Sequence, residues 1–196
     1  GDTASFTVVL NTQPTANVTI GVSSSDTTEG TVSPAMLTFT SANWNTPQTV
    51  TVTGQNDDID DGDIAYTIVT AAATSSDANY NGLNPADVSV TNTDNDTAGI
   101  TVTPTSGLVT SEAGGTATFT VRLNTQPAAD VTIGVSSSDT TEGTVSPATL
   151  TFTSASWNVA QTVTVTGVDD AQVDGNVAYT IVTAAATSSD ANYNGL

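Results

Sequence analysis

An all-β fold of two tandem antiparallel sandwiches is the class this sequence predicts, on three observations. Apolar residues alternate with Thr and Ser at a period of two, the period of a half-buried strand. The alternating segments recur as near-identical copies at an offset of 113 residues, the length of a domain and not of a solenoid turn. No segment carries the 3.6-residue period of a long amphipathic helix.

The strands follow in order. "ASFTVVL" sets Phe6, Val8 and Leu10 on one face, and "NVTIGVS" does the same with Val18, Ile20 and Val22. "LTFTS" pairs Leu37 with Phe39, "QTVTVTG" pairs Val50 with Val52, and "AYTIVT" pairs Tyr66 with Ile68. "ADVSVTN" closes the first copy with Val88 and Val90. The second copy repeats all but this last segment and adds "GITVTP", with Ile100 and Val102. Loops rich in Asn, Gly, Pro, Asp and Ser separate the segments. One apolar and one Thr/Ser face, with about seven strands per full repeat, predicts Greek-key, Ig-like sandwiches; a closed barrel is the alternative. The expected domains are residues 1–97, without an N-terminal strand, and residues 98–196, without a C-terminal one.

The copies align closely. "NTQPTANVTIGVSSSDTTEGTVSP" from Asn11 matches "NTQPAADVTIGVSSSDTTEGTVSP" from Asn124, and "YTIVTAAATSSDANYNGL" from Tyr66 recurs unchanged from Tyr179. Copy one has no counterpart of "GITVTPTSGLVTSEAG" (99–114), and copy two none of "NPADVSVTNTDND" (84–96). Two expectations follow: a window on a longer tandem array, or a subunit whose open sheet edges accept strands from neighbouring chains.

Composition narrows function. The chain has 196 residues, no Cys, no His, one basic residue (Arg122) and a formal net charge of −19. Disulfides, thiol chemistry and zinc–thiolate sites are excluded. An acidic surface repels nucleic acid and anionic membrane, and no apolar run is long enough to span a bilayer. Without His, Cys or Lys, only paired carboxylates could catalyse, and these lie in short repeated loops, so no enzyme is expected. A Lys–Asn isopeptide crosslink is impossible. Thr-rich strands, Trp44, Trp157 and Tyr80 of "NYNG" offer a possible surface for a glycan or partner protein. Against that, threonine is a good soluble strand residue and a loop tryptophan commonly caps a core.

The acids are clustered. "NDDIDDGD" (56–63) holds Asp57, Asp58, Asp60, Asp61 and Asp63, and copy two reads "VDDAQVDGN" (168–176). Aligned on the glycine, Asp57 matches Asp170 and Asp61 matches Asp174, four residues apart in each. Loops 55–63 and 93–97 can share one end of a sandwich. Two carboxylates about 4 Å apart at an effective dielectric near 20 repel by roughly 4 kcal/mol. Protonation, spreading into solvent or a divalent cation would relieve this. Calcium suits loose all-oxygen sites best; calcium and a solvated acidic loop both remain open from spacing alone.

"GGTATFTVRLNTQPAADVTI" (114–133), "LTFTSASWNVAQTVTVTGVDDAQVDG" (150–175) and "VSVTNTDND" (88–96) resemble the Calx-beta domain. That family is named for sodium–calcium exchangers and also occurs in large bacterial surface and adhesion proteins. The resemblance implies calcium ligands at Asp57 and Asp61, with Asp94 and Asp96 closing the same site, and Asp58 of the same loop is a further candidate ligand. In copy two it implies Asp169, Asp170 and Asp174, with Glu112 as an early acid. Asn56 stands where the family has its first Asp, and Ile64 and Val177 replace a second acid. The loop after Asp26 is short and lacks the family's Gly-x-Asp-Tyr element, which leaves Asp26, Glu29, Asp139 and Glu142 outside the implied ligand set. The expectation is a secreted, cell-surface structural repeat of an adhesin, stalk or filament. Its partners would be neighbouring repeats or neighbouring copies, with calcium stiffening the junction near residues 93–100.

Overall fold

A computed structural model describes residues 1–196, and the chain is all-β, with fifteen strands and no helix. It divides into two compact units, Gly1–Asp57 with Asp61–Asp94, and Asp58–Asp60 with Asn95–Leu196.

The first unit contains β1 (Thr3–Val8), β2 (Val18–Ser24), β3 (Gly30–Ser33), β4 (Met36–Phe39), β5 (Gln48–Gly54), β6 (Ile64–Thr70), β7 (Thr74–Ser75) and β8 (Val88–Asn92). One sheet runs β1-β5-β3; the other runs β4-β2-β6-β8, with the short β7 also on β2. Every pairing is antiparallel. Register follows the alternation: Val18 faces Phe39 and Ile20 faces Leu37, while Thr19 faces Thr38. A one-residue slip would turn those apolar side chains to solvent, so burial pins the pairing. Val18, Ile20, Leu37, Phe39, Val50, Val52, Tyr66 and Ile68 form the core between the sheets. Each fully buried aliphatic or aromatic side chain contributes about 1.5–3 kcal/mol.

The second unit contains β9 (Ile100–Thr103), β10 (Thr116–Leu123), β11 (Val131–Ser137), β12 (Gly143–Ser146), β13 (Thr149–Phe152), β14 (Gln161–Gly167) and β15 (Ile181–Thr183). Its sheets are β12-β14-β10-β9 and β13-β11-β15, around a core that includes Phe119, Ile133, Leu150, Phe152 and Val163. The two units differ at opposite edges. Only the second has a strand on the outer side of its first sheet, where β9 pairs with β10. Only the first has one outside its second sheet, where β8 pairs with β6.

Two local expectations are corrected. The alternation did not single out β3 and β12, four-residue strands spelled "GTVS". The "AYTIVT" strand of copy two is three residues long against seven in copy one, although Tyr66–Thr70 and Tyr179–Thr183 are identical. Residues Ile64–Ile68 are strand because β8 pairs with them, and no strand occupies that side of β15.

Trp44 and Trp157 are half-buried and pack on their cores, as loop caps do. Tyr80 does not offer its ring to a sugar. It is 8% exposed, and its hydroxyl donates to the Thr12 carbonyl (2.6 Å). Tyr193 repeats this against the Thr125 carbonyl at 2.8 Å.

Candidate metal centres

Each unit gathers three carboxylates from two loops. In the first unit Glu29, Asp57 and Asp61 each offer an oxygen, and these oxygens lie within 4.8 Å of one another. In the second, Glu142, Asp170 and Asp174 do the same. The trios sit at equivalent positions of the two copies. Strand pairing builds them: Gly30↔Gly54 and Gly143↔Gly167 bring the residue before β3 or β12 to the acidic loop after β5 or β14. The Gln55 N–H donates to the Glu29 carbonyl (2.9 Å), and the Val168 N–H to that of Glu142 (3.0 Å).

Glu29 and Glu142 therefore stand in the clusters that the resemblance had left them out of. Glu29 is 8% exposed. Its Oε2 accepts from Asn92 Nδ2 (3.2 Å), and the same amide donates to the Gln55 carbonyl (2.7 Å). Asn92 thus ties the end of β8 to the site. The buried Tyr66 phenol is raised above its ordinary pKa by burial first and then by the Glu29 charge. Glycine at position 30 makes room for that ring, since a Cβ there would fall on the Tyr66 hydroxyl.

Glu142 is pushed above the ordinary glutamate value. Desolvation is the largest cause, followed by the charges of Asp174, Asp139, Asp170 and Glu112. The field of Glu112, the early acid implied by the resemblance, therefore reaches this site, though Glu112 is outside the trio. Asp169 is exposed and also outside it. Asp139 lies below its ordinary value because the Thr141 hydroxyl and N–H donate to it, and Asp26 does so through Thr28.

The other candidates divide between the two units. Asp94 meets the acidic loop of its own unit: its Oδ2 accepts the Gly62 N–H (2.8 Å), and its N–H donates to Asp63 Oδ1 (3.0 Å). Loops 55–63 and 93–97 therefore do meet. Asp96 groups with the second unit. So does Asp58, whose carbonyl accepts the Gln126 N–H (2.7 Å). Neighbouring Asp60 accepts the Ala98 N–H at Oδ2 (2.8 Å).

The donor set is all oxygen, which suits a hard cation such as calcium and not zinc. Three carboxylates present two oxygens each, and the loops add backbone carbonyls. The first unit contains no Lys, Arg or His to balance its trio, and the second has only Arg122, on β10.

No family model matches the chain, and no curated protein matches it by sequence. Among solved structures it is similar to CBD12 from CALX1.2, at 13% identity, a TM-score of 0.40, and coverage of 94% of this chain and 74% of that one. It is also similar to the calcium binding domain CBD12 of CALX1.1, at 17% identity and a TM-score of 0.41 with the same coverage. Both likenesses are distant, and the choice of ligand rests on the side chains of this chain.

Proposed function

We propose that each unit is a calcium-binding β-sandwich module and that the chain is a structural segment of a long extracellular adhesin, stalk or filament protein. The observation that carries the reading is the recurrence of one Glu-Asp-Asp trio in both units, drawn from two loops each, with one basic residue in the whole chain. Bound calcium stabilises the unit that holds it, because the unfolded chain does not preserve the trio. The affinities suited to the role are those of extracellular modules, with Kd near 10⁻⁴–10⁻³ M. At ten to a hundred times Kd, each site adds about 1.4–2.7 kcal/mol.

Thermal melts of the full chain with calcium and with chelator test this, alongside Asp61→Asn and Asp174→Asn. At roughly 4–8 °C per kcal/mol for a domain of this size, ten times Kd raises the midpoint by about 6–11 °C. Each variant should lose that rise in its own unit. In chelator each should melt no lower than the parent, because the substitution removes a like charge. A midpoint indifferent to calcium, or variants destabilised equally with and without it, would end the proposal.

A further inference from the structure

Asp61 of the first trio precedes Gly62, and Asn81, Asp174 and Asn194 likewise precede glycines. An Asp or Asn before glycine is the peptide unit most open to rearrangement in water. The glycine nitrogen attacks the side-chain Cγ of the preceding residue and closes a five-membered succinimide, expelling water from Asp or ammonia from Asn. Water then reopens the ring at either carbonyl and leaves aspartate or isoaspartate. Glycine favours closure because it has no Cβ to obstruct it. Asp61 and Gly62 are exposed, so water reaches the bond. Isoaspartate routes the backbone through the side chain. At Asp61 it would displace the carboxylate whose oxygen lies within 4.8 Å of those of Glu29 and Asp57.

We infer that Asp94 is a positioning residue that protects Asp61 from succinimide closure, by holding the N–H of Gly62. That N–H donates to Asp94 Oδ2 at 2.8 Å, and the Asp94 N–H donates in turn to Asp63 Oδ1 at 3.0 Å, so the acceptor is itself anchored to the acidic loop. Closure requires the glycine nitrogen to lose its proton and turn its lone pair toward Cγ. A charge-assisted hydrogen bond fixes the peptide plane against that turn. The Asp94 carboxylate also repels the amide anion that would form beside it. The fold uses the same device at its two Asn–Gly pairs. The Gly82 N–H donates to the Ala73 carbonyl and the Gly195 N–H to the Ala186 carbonyl, each at 2.8 Å. Asn81 and Asn194 accept the Ser75 and Ser188 N–H groups at Oδ1 (3.3 Å each), which restrains the side chains as well.

The test is ageing of the full chain in warm neutral buffer, followed by peptic digestion and mass-spectrometric counting of isoaspartate at each Asx–Gly pair. Chelator in the buffer keeps the result apart from the calcium reading, since the chemistry needs no metal. Asp94→Ala should raise isoaspartate formation at Asp61 by roughly tenfold to a hundredfold, the change in opening that loss of a hydrogen bond to a charged group allows. Asp94→Asn retains a side-chain oxygen as acceptor and should stay close to the parent. Asn81, in the same unit, should remain unmodified in both variants. An unchanged rate at Asp61 in Asp94→Ala, or an Asp94→Asn chain that ages as fast as the alanine variant, would overturn the inference. So would a parallel rise at Asn81, which would mean that the substitution loosens the whole unit and not the one peptide bond.

Discussion

Gly30→Ala and Gly143→Ala make the same change in the same local sequence, "SSSDTTEGTVSP", yet their costs should differ. At Gly30 the new methyl carbon lands on the Tyr66 hydroxyl and 2.5 Å from its Cζ. Tyr66 is buried and lies opposite Val90 of β8, so its ring has nowhere to retreat within the core. Overpacking of this kind costs about 1–3 kcal/mol, and dislodging a buried aromatic side chain about 3–5; roughly 3 kcal/mol is expected. At Gly143 the methyl meets Tyr179 equally closely, but that ring is half-buried beside an open cleft and can swing outward, at about 1 kcal/mol. The difference, about 2 kcal/mol, is roughly a thirtyfold change in opening equilibrium. Hydrogen exchange reads both units in one molecule through the amides of β5 and β14. Equal losses in the two units would refute the reasoning, because they would mean that β8 does not hold Tyr66 in place.

Asn92→Ala removes both the Glu29 and Gln55 hydrogen bonds; the first unit should lose about 1–3 kcal/mol in a denaturant melt, with no change in the exchange protection of the second. Tyr193→Phe leaves the buried Thr125 N–H and carbonyl without the hydroxyl that serves both, at 3.0 and 2.8 Å, and should cost the second unit about 1–3 kcal/mol by hydrogen exchange. Asp77 is held below its ordinary pKa of 3.8 chiefly by the Thr15 and Asn79 N–H groups. Its folded pKa therefore lies below its unfolded one, so its contribution is complete above 3.8 and disappears as pH falls through the folded value. Asp77→Asn should remove that part of the acid transition in a pH-dependent melt.

The strands were legible because burial on one face writes a period of two into the sequence, and the observed register keeps the valines, leucines and phenylalanines of that period on the core. The clusters were legible in part. Asp57 and Asp61 stand four apart in one loop, just before Gly62, and their carboxylates come together with that of Glu29. Glu29 and Glu142 were not, because they join through the pairing of a four-residue strand too short to display a period. The alternation of Val32 with Thr31 and Ser33, one glycine beyond an acid, was the available signal. Asp58 is adjacent to Asp57 in sequence, yet it groups with the other unit. The shortened β15 lay beyond any local reading, since its residues match those of β6 and only the neighbouring strand differs.

A chain with twenty acidic side chains and one basic one is eased by any salt, so ion-specific binding has to be told apart from screening. The two act at different distances. At 0.1 M salt the Debye length is about 10 Å, so monovalent ions damp repulsion between distant loops. The oxygens of Glu29, Asp57 and Asp61 lie within 4.8 Å, well inside that length. At that range the like charges repel one another directly, and diffuse ions leave that repulsion largely in place. An ion seated among the three oxygens offsets it directly. In a background of 0.1 M sodium chloride, millimolar calcium should raise the melting midpoint by several degrees. Sodium chloride added to the same ionic strength should leave it almost unmoved, and magnesium, which gives up its water reluctantly, should fall between. Glu29→Gln should abolish the calcium increment in the first unit while retaining the sodium response. If calcium and matched sodium chloride gave equal shifts, the trios would be ordinary members of a diffuse anionic surface.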